Sequence, residues 1–507
     1  MPHPSAIPVI VGVGDLRHGR AGNPQDPREP LELIADAVTA ALADCGSAGL
    51  DAAVDTVYAI KTSSWNYADL PALIGKRLGA NVSRTLTSSV GGHWPAALLD
   101  RIGADIAAGS AEVALLVGGE AQASLKTLNK AGTDPASVGW TTAPGGPPTF
   151  DATELGTADM QRAGTITPTR VYPLFENSHG ASLGERPAQT RASSARLYAA
   201  FSDVAASHPA AWSPVARTAQ DIATPGPDNR LVSDAYPLAM NAMPFVDQAA
   251  AVVVCSLAAA RDHGVAEDRI VYVWGGAGAH EDPNVLARKT FGDSPAMRSA
   301  TERILTRAGL GGDELSIVDS YCCFPVVPKL LVGVLGLPAD AVPSVLGGHS
   351  FFGGPLSSYS LHSVVEVTRT LRHHDAREVA MVHANGGYLT YQHAVLLSRQ
   401  PHADGYIGDP TSHDVPAELH SLTRDYTGSA DIITATIEYD RTGEPSIGFI
   451  VAQTPDGRRI AGHTNSDDAA ALVAYTAEGT RSLVGAPVRV IDRGGLLTVE
   501  LEEQANT

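Results

Sequence analysis

Cysteine, basic side chains and long apolar runs are all scarce in this sequence of 507 residues. Its four cysteines cannot build a disulfide scaffold, so we expect a reducing compartment, the cytoplasm. Lysine and arginine number 36 against 55 acidic residues, which argues against nucleic acid or an anionic membrane as partner. The longest apolar run, residues 249–260, is too short for a membrane span of roughly 20 residues. The N-terminus lacks the basic segment of an export signal.

Short β-rich runs alternate with helical patterns from residue 7 to about residue 398. Residues 7–13 and 113–117 are predicted strands, and the second run is fully apolar. Residues 31–44 and 95–108 carry apolar side chains at the i, i+3, i+4 spacing of amphipathic helices. This alternation indicates the α/β class and is typical of a parallel sheet with helices on both faces.

The stretch from about residue 121 to residue 247 interrupts this alternation. It is rich in proline, glycine and threonine, above all at residues 141–156, and it has one predicted helix near residues 189–206. It also carries aromatic side chains that a linker seldom needs, so we expect an inserted loop domain. Its segment at residues 172–177 either lines a pocket or belongs to a minor core.

The α/β pattern resumes after residue 247 and partly repeats itself. The segment AEVALLVGGE at residues 111–120 is echoed by REVAMVHANGG at residues 377–387. A Gly-Gly-His triplet precedes the corresponding helix in each half, ending at His93 and at His349. Agreement of both landmarks in the same order favours a duplication over chance.

After about residue 405 the sequence changes to strands and turns. The hairpin signals DRTGE, TPDG and DRGG separate β-rich runs, which indicates a small β-barrel. The predicted strands cover residues 432–439, 446–453, 459–462, 488–491 and 496–501, with a helix at residues 467–475. The predicted domains are therefore an N-terminal half (residues 1–120), a loop domain (121–247), a C-terminal half (248–402) and the barrel (403–507).

Functional groups are expected where strands end and helices begin, because unpaired N–H groups gather there. Glycine-rich or polar segments occupy four such places, at residues 91–93, 319–324, 347–355 and 384–387. With the opening PVIVGVGD and the segments IAAGSAEVALLVGGEA and VDQAAAVVVCS, they resemble the thiolase superfamily, especially the sterol-carrier-protein-type thiolases. The resemblance covers about residues 6–400. It implies a duplicated thiolase fold in αβαβα layers and a coenzyme A thioester as ligand.

The resemblance also assigns the catalytic positions of a thiolase to residues of this chain. The position of the nucleophilic cysteine falls at Gly92, and that of the acid/base cysteine falls at Asn385. The two catalytic histidine positions fall at Tyr321 and Gly354. A thiolate is the attacking species in this chemistry, and none of these residues supplies one. We therefore do not expect ordinary thiolysis through an acyl-cysteine.

Three features together resemble the thiolase-like proteins of type 1. They are a GG-x-x-x-x-GGP loop, an Asn-Gly-Gly where thiolases have Cys-x-Gly, and the C-terminal β domain. This group implies a thiolase fold with an added barrel and without ordinary thiolase catalysis. The loop glycines either bind a substrate oxygen through backbone N–H groups or merely permit tight turns. The candidate binding positions are Gly92, Gly353, Gly354, Gly386 and Gly387.

Five side chains are candidate catalytic groups, and four of them have a simple structural alternative. Tyr321 is a general acid/base, as in related thiolase-like aldolases, or a hydrogen-bonded structural tyrosine. Cys323 is a relocated nucleophile or a small buried residue. His93 and His349 transfer protons near neutral pH or simply lie in loops. Asn385 is the fifth, and no His, Cys, Asp and Glu show metal-ligand spacing.

The leading expectation is a thiolase-like protein, related to acetyl-CoA acetyltransferases of lipid metabolism, that binds acyl-CoA or a related thioester. One alternative is a retro-aldol lyase with Tyr321 as acid/base, and another is a non-catalytic acyl- or lipid-binding protein. Whether the chain is an enzyme stays open at this point. We expect no cofactor besides the coenzyme A thioester and no metal, and either a monomer or a homodimer.

Overall fold

The protein is described by a computed structural model. It describes residues 2–19, 26–143, 145–147, 156–416, 418–477 and 479–501. Parts of the proline- and glycine-rich segment (144 and 148–155) and the end of the predicted barrel domain (502–507) lie outside the described residues.

Strands and helices alternate in the N-terminal half, as the sequence predicts. In chain order they are β1 (Pro8–Arg17), α1 (Pro30–Cys45), β2 (Thr56–Ala59), β3 (Asn66–Tyr67), α2 (Leu70–Leu78), β4 (Arg84–Thr87), α3 (Trp94–Ala107) and β5 (Val113–Ala121). Helix α1 begins with Pro30 in its first turn and ends at Gly46, whose φ of 64° suits glycine. Local sequence signals therefore set both of its ends.

The inserted region contains more helix than its composition indicates. Its elements are α4 (Gln122–Ala131), β6 (Gly145–Gly146), α5 (Ala158–Ala163), α6 (Pro168–Ser182), α7 (Pro187–Ser207) and α8 (Ala219–Ala223). Helix α7 confirms the predicted helix at residues 189–206. Helix α6 was not predicted, because Pro173 inside it reads as a helix breaker. Its buried residues, Val171, Leu174 and Phe175 among them, pack in the main core and hold the helix together.

The remaining α/β elements follow from residue 247 onward. They are β7 (Asp247–Ser256), α9 (Leu257–Asp262), β8 (Val271–His280), α10 (Pro295–Ala308), β9 (Ile317–Asp319), α11 (Val326–Leu335), α12 (Gly348–Phe351), α13 (Tyr359–His373), β10 (Val379–Gly386), β11 (Tyr391–Ser398) and β12 (Asp409–Asp414).

Ten of the described strands form one sheet, in the order β4-β2-β5-β7-β1-β8-β11-β10-β9 with β12 paired to β8. Strand β2 is parallel to β4 and β5, whereas β7 is antiparallel to β5 and β1. Strands β10 and β11 are also antiparallel, because a short turn joins them and a short turn cannot join parallel strands. The prediction of a parallel sheet was therefore wrong, and the sheet is mixed.

The elements stack in five layers. Helix α1 covers β1, β5 and β7 on one outer side, and α10 covers β8 and β11 on the other. Helices α3 and α13 lie between the two halves of the sheet, with Leu99, Ile102, Val364 and Val365 fully buried there. The αβαβα arrangement of the duplicated thiolase fold is thus confirmed.

The C-terminal region forms the predicted barrel. Its elements are β13 (Thr427–Tyr439), β14 (Pro445–Gln453), β15 (Arg459–Thr464), α14 (Ser466–Thr476), β16 (Pro487–Arg493) and β17 (Leu496–Leu501). The strands close in the order β13-β14-β15-β17-β16. The barrel packs on α6, where Arg170 pairs with Glu438 at 2.6 Å and the Thr434 hydroxyl donates to the Leu174 carbonyl. No described helix is both long and apolar enough to cross a membrane.

Candidate functional site

A cleft of about 760 Å³, counted with its open mouth, lies where the two halves of the fold meet the inserted region. The start of α3, the loop after β9, the loop before α13 and the end of β10 form its walls. Tyr172 of α6 and residues 242–244 close it from the inserted region.

Eight of the ten residues that the sequence singled out line this cleft. They are Gly92, Tyr321, Cys323, His349, Gly354, Asn385, Gly386 and Gly387. The structure therefore brings together four segments that are far apart in the sequence, including the four positions where the resemblance places thiolase catalytic groups.

The other two residues, His93 and Gly353, do not line the cleft. The His93 ring stacks on Tyr391 with 5.1 Å between ring centroids, and it lies behind Gly386, where an added Cβ would overlap its Nδ1. Burial lowers the pKa of His93 to about 3, so its imidazole is neutral. Gly353 has φ 116° and packs against the Gln248 side chain, so it shapes the loop rather than the cleft.

Gly92 at the start of α3 has no room for a side chain. A Cβ built on it would overlap the Tyr321 hydroxyl and would lie 2.5 Å from the backbone oxygen of Asn385. The Tyr321 hydroxyl therefore occupies the space in which a nucleophilic side chain at position 92 would stand. A side chain at position 92 and a tyrosine at position 321 therefore exclude each other at this place in the fold.

Tyr321 is buried, and desolvation raises the pKa of its phenol well above the usual value of 10. Among the described residues its hydroxyl makes a single long contact of 3.5 Å, with the backbone oxygen of Leu356. At neutral pH the phenol is protonated and has a proton to donate into the cleft. A tyrosinate acting as a base is not available under these conditions.

His349 places an imidazole beside Tyr321. Its ring stacks on Tyr359 at 3.7 Å and meets the Tyr321 ring edge-on at 4.6 Å. Both of its ring nitrogens are buried without a hydrogen-bond partner in the part of the chain that the structure describes, and burial lowers its pKa to about 3. A Cβ on Gly354 would lie 2.9 Å from its Cδ2. The neutral imidazole of residue 349 thus lies next to position 354, where the resemblance places a catalytic histidine.

Asn385 is fixed by a chain of hydrogen bonds. His383 Nε2 donates to Gln392 Oε1 at 2.8 Å, and Gln392 Nε2 donates to Asn385 Oδ1 at 2.7 Å. Asn385 Nδ2 then donates to the Tyr172 hydroxyl at 2.9 Å, and Tyr172 donates to the Gly387 carbonyl at 3.0 Å. Among the described residues the second N–H of the Asn385 amide has no acceptor, so the amide has a donor to offer to the cleft.

Backbone donors complete the polar part of the cleft. Among the described residues, the N–H groups of Gly92 and Gly387 have no hydrogen-bond acceptor. The N–H of Gly354 is already bound to the Met243 carbonyl at 2.9 Å, so it is not available. Unpaired donors at a helix start and a strand end suit a carbonyl or enolate oxygen.

Cys323 lines the cleft without any cationic group to favour its thiolate. Burial raises the pKa of its thiol to about 12, so the sulfur is a neutral thiol at physiological pH. Cys322 points away from the cleft and donates to the Ser320 carbonyl. These properties fit a buried small residue better than a relocated nucleophile.

Several lining residues were not singled out from the sequence. Ser357 accepts a hydrogen bond from the Gly91 N–H at 3.0 Å and so fixes the loop before α3. Leu356 has φ 45°, an uncommon conformation for a non-glycine residue that is worth notice at such a site. Tyr172 belongs to the segment at residues 172–177, which was expected either to line a pocket or to form a minor core, and it both lines the cleft and packs in the main core. No local pattern marks Ser357 or Leu356. Among the described residues, no three His, Cys, Asp or Glu are placed to hold a metal ion.

The fold and the cleft define a thiolase-like protein. The chain is 30% identical to the monomeric SCP2-thiolase-like protein type 1 (STLP1) from Mycobacterium smegmatis, with 99% of this chain and 100% of that chain covered and a TM-score of 0.81. The family model of the thiolase-like protein type 1 additional C-terminal domain matches residues 413–492. The chain therefore belongs to the thiolase-like proteins of type 1. No curated protein sequence matches it.

More distant structures share the thiolase fold alone. The Ltp2–ChsH2(DUF35) aldolase matches with a TM-score of 0.60 and 18% identity, over 78% of this chain and 98% of that chain. The dimeric peroxisomal thiolase of Saccharomyces cerevisiae matches with a TM-score of 0.55 and 13% identity, over 79% and 99%.

Proposed function

We propose that the cleft binds the thioester carbonyl of acyl-CoA or a related thioester and does not form an acyl-enzyme. The observation that carries this proposal is the set of uncommitted donors at one place. These are the N–H groups of Gly92 and Gly387 and the remaining N–H of Asn385. In catalysis, each such preorganised donor stabilises negative charge on a carbonyl oxygen by about 2.7–4 kcal/mol.

The same residues argue against ordinary thiolase chemistry. Position 92 has no side chain, and Asn385 cannot take a proton as a thiolate would. The Cys323 thiol, with a pKa near 12, is a poor nucleophile at neutral pH. What the cleft offers a thioester is thus polarisation of its carbonyl without attack on it.

The walls of the cleft suggest which acyl groups fit. Apolar and aromatic side chains form most of its lining, among them Val90, Pro244, Phe324 and Leu356, and none of the described residues that line it is charged. An acyl portion that lies within the cleft is therefore uncharged. We also infer a monomer, as stated for the relative from M. smegmatis, and we propose no resident cofactor.

The test is binding of acetyl-CoA by isothermal titration calorimetry, with free coenzyme A as reference. Asn385→Asp keeps the shape of the side chain but replaces its donor by a negatively charged acceptor. We expect its affinity for acetyl-CoA to fall at least tenfold, about 1.4 kcal/mol. Asn129→Asp, on the exposed face of α4, is the matched control and should bind as the wild type does. Absence of heat with the wild type would remove the ligand inference itself.

A second candidate function is a retro-aldol lyase, which the protonated phenol of Tyr321 beside the unpaired backbone donors favours. In that reaction a β-hydroxyacyl thioester loses its hydroxyl proton to water, and the Cα–Cβ bond breaks to release an aldehyde or ketone. The enolate that remains is held by the N–H groups of Gly92 and Gly387, and it takes a proton at Cα from Tyr321. The proton released to water then restores the phenol, so the step balances.

Tyr321→Phe separates this lyase from a pure binding protein. The variant removes one oxygen atom and should leave acetyl-CoA affinity within about twofold, while carbonyl release from a 3-hydroxyacyl-CoA falls about 10²- to 10⁴-fold. Unchanged turnover in the variant would contradict the lyase function. A wild type that binds acetyl-CoA but turns over no 3-hydroxyacyl-CoA would favour a non-catalytic acyl-binding role.

A further inference from the structure

A second depression, of about 560 Å³ counted with its open mouth, lies beside the cleft, at the edge of the sheet next to β4. We call it the Lys61 recess. Lys61, Asn66 and Thr87 line it together with Thr62 and Ser88. Neither the function proposed above nor the thiolase resemblance draws on these residues.

The Lys61 recess and the cleft are lined by neighbouring residues of the same two segments. Thr62 and Ser88 face the recess, whereas Ser63 and Val90 line the cleft. The two segments are joined by a hydrogen bond from the Lys61 N–H to the Ser88 hydroxyl oxygen at 3.0 Å. In both segments the residues that line the recess and those that line the cleft are therefore only one or two positions apart in the sequence.

Three polar side chains of the recess are uncommitted, whereas the Thr62 hydroxyl donates to the Trp65 carbonyl and the Ser88 hydroxyl donates to the Ser89 carbonyl. In the described part of the chain, the Lys61 ammonium takes part in no ion pair, although the side chain is half-buried. The side chains of Asn66 and Thr87 make no hydrogen bond there, whereas Tyr67 is engaged with Glu29. Lys61, Asn66 and Thr87 all have hydrogens to donate, and none of the described residues that line the recess is acidic.

Electrostatics makes this arrangement unusual for the chain. The protein has a formal net charge of −19, and its other partly buried lysine, Lys329, is paired with Glu176 at 2.6 Å. A cation that is partly removed from water gains from an anion placed beside it, and extra neutral donors strengthen that anion's binding. An acid-free recess with one unpaired ammonium thus suits a small oxyanion.

We propose that the Lys61 recess binds an oxyanion, a carboxylate or a phosphate, with Lys61 as its counter-charge. If the cleft has the function proposed above, on which this step rests, the oxyanion is part of the thioester ligand whose uncharged acyl portion lies in the cleft. The ligand class is then an acyl thioester with an acidic group at or near the end of its acyl chain.

Calorimetric titrations with inorganic phosphate and, separately, with glutarate test the recess and distinguish its two possible anions. We expect one of them to bind in the millimolar range, with an affinity that falls as sodium chloride is raised. Lys61→Met should weaken this binding at least tenfold, Lys61→Arg should retain most of it, and Lys130→Met on exposed α4 should not change it. Absence of binding to the wild type, or equal binding by Lys61→Met, would overturn the proposal.

A second comparison connects the recess to the cleft. Glutaryl-CoA should bind more tightly than butyryl-CoA to the wild type, and Lys61→Met should abolish this preference. If Lys61→Met leaves the glutaryl preference intact, the recess does not serve the thioester ligand and that part of the proposal fails. Loss of acetyl-CoA binding by the wild type contradicts the proposed function of the cleft instead, since phosphate and glutarate report on the recess alone.

Discussion

Gly92→Ala is expected to lower the free energy of unfolding by about 3 kcal/mol, the upper end of the usual cost of an overpacked substitution. The added Cβ would overlap the Tyr321 hydroxyl and lie 2.5 Å from the Asn385 backbone oxygen, and a backbone atom in a sheet cannot move aside cheaply. Tyr321→Ala in the same chain removes one of the two clashes. The double variant should therefore lose less stability than the two single changes add up to.

The control for this experiment is Gly333→Ala in α11. An added Cβ at Gly333 has no atom within 4 Å, so this change should stabilise the protein by about 0.5–1 kcal/mol. Urea unfolding followed by circular dichroism measures all four variants. A Gly92→Ala protein as stable as the wild type would contradict the claim that Tyr321 fills the nucleophile's space. If the claim holds, Gly92→Cys alone cannot reinstall a thiolase nucleophile.

Lys329→Met is expected to cost about 3–5 kcal/mol of stability, because it leaves a carboxylate buried without its cation. Glu176 lies on α6 and Lys329 on α11, 2.6 Å apart. Burial alone would raise the pKa of Glu176, but the Lys329 ammonium and the hydroxyls of Tyr236 and Ser194 keep that pKa below its ordinary value of 4.5. The pair thus stabilises the folded state above pH 4.5, and this contribution is lost as the pH falls through the folded pKa.

The pH dependence distinguishes a lost ion pair from lost packing. Without Lys329, burial raises the pKa of Glu176, so the variant becomes less stable as the pH rises above 4.5. The gap in unfolding free energy between variant and wild type should therefore be widest near pH 7 and should narrow toward pH 5. Lys289→Met breaks an exposed pair with Glu418 and should show no measurable change at any pH. A gap for Lys329→Met that does not vary with pH would point to packing alone.

Much of the fold could be predicted because its signals are local. The ends of α1, the helix α7 and the barrel hairpins are fixed by capping residues, apolar spacing and turn residues close together in the sequence. Helix α6 could not be predicted, since tertiary contacts of Leu174 and Phe175 outweigh the unfavourable Pro173. The strand directions were also missed, because alternation of strands and helices does not fix whether a distant strand such as β7 enters parallel or antiparallel.

The candidate site could likewise be predicted only in part. The motifs around Gly92, Tyr321 and Asn385 could be found one by one, and the resemblance to thiolases placed them in one cleft. The sequence could not show that Tyr321 occupies the space beside Gly92, because that contact depends on packing between distant segments. It also could not show that the two histidines that end identical Gly-Gly-His triplets lie in different places. His349 lines the cleft beside Gly354, whereas His93 lies behind Gly386 and outside the cleft lining.

The central claim is that the cleft polarises a thioester carbonyl without attacking it. Carbon-13 NMR of [1-¹³C]acetyl-CoA bound to the full chain tests this most directly, since the labelled carbon reports both on hydrogen bonding to its oxygen and on the bond to sulfur. We predict that the thioester carbonyl resonance moves downfield on binding and that the thioester stays intact through prolonged incubation. A resonance unchanged at saturating protein, or a new carbonyl signal attached to the protein, would contradict the account.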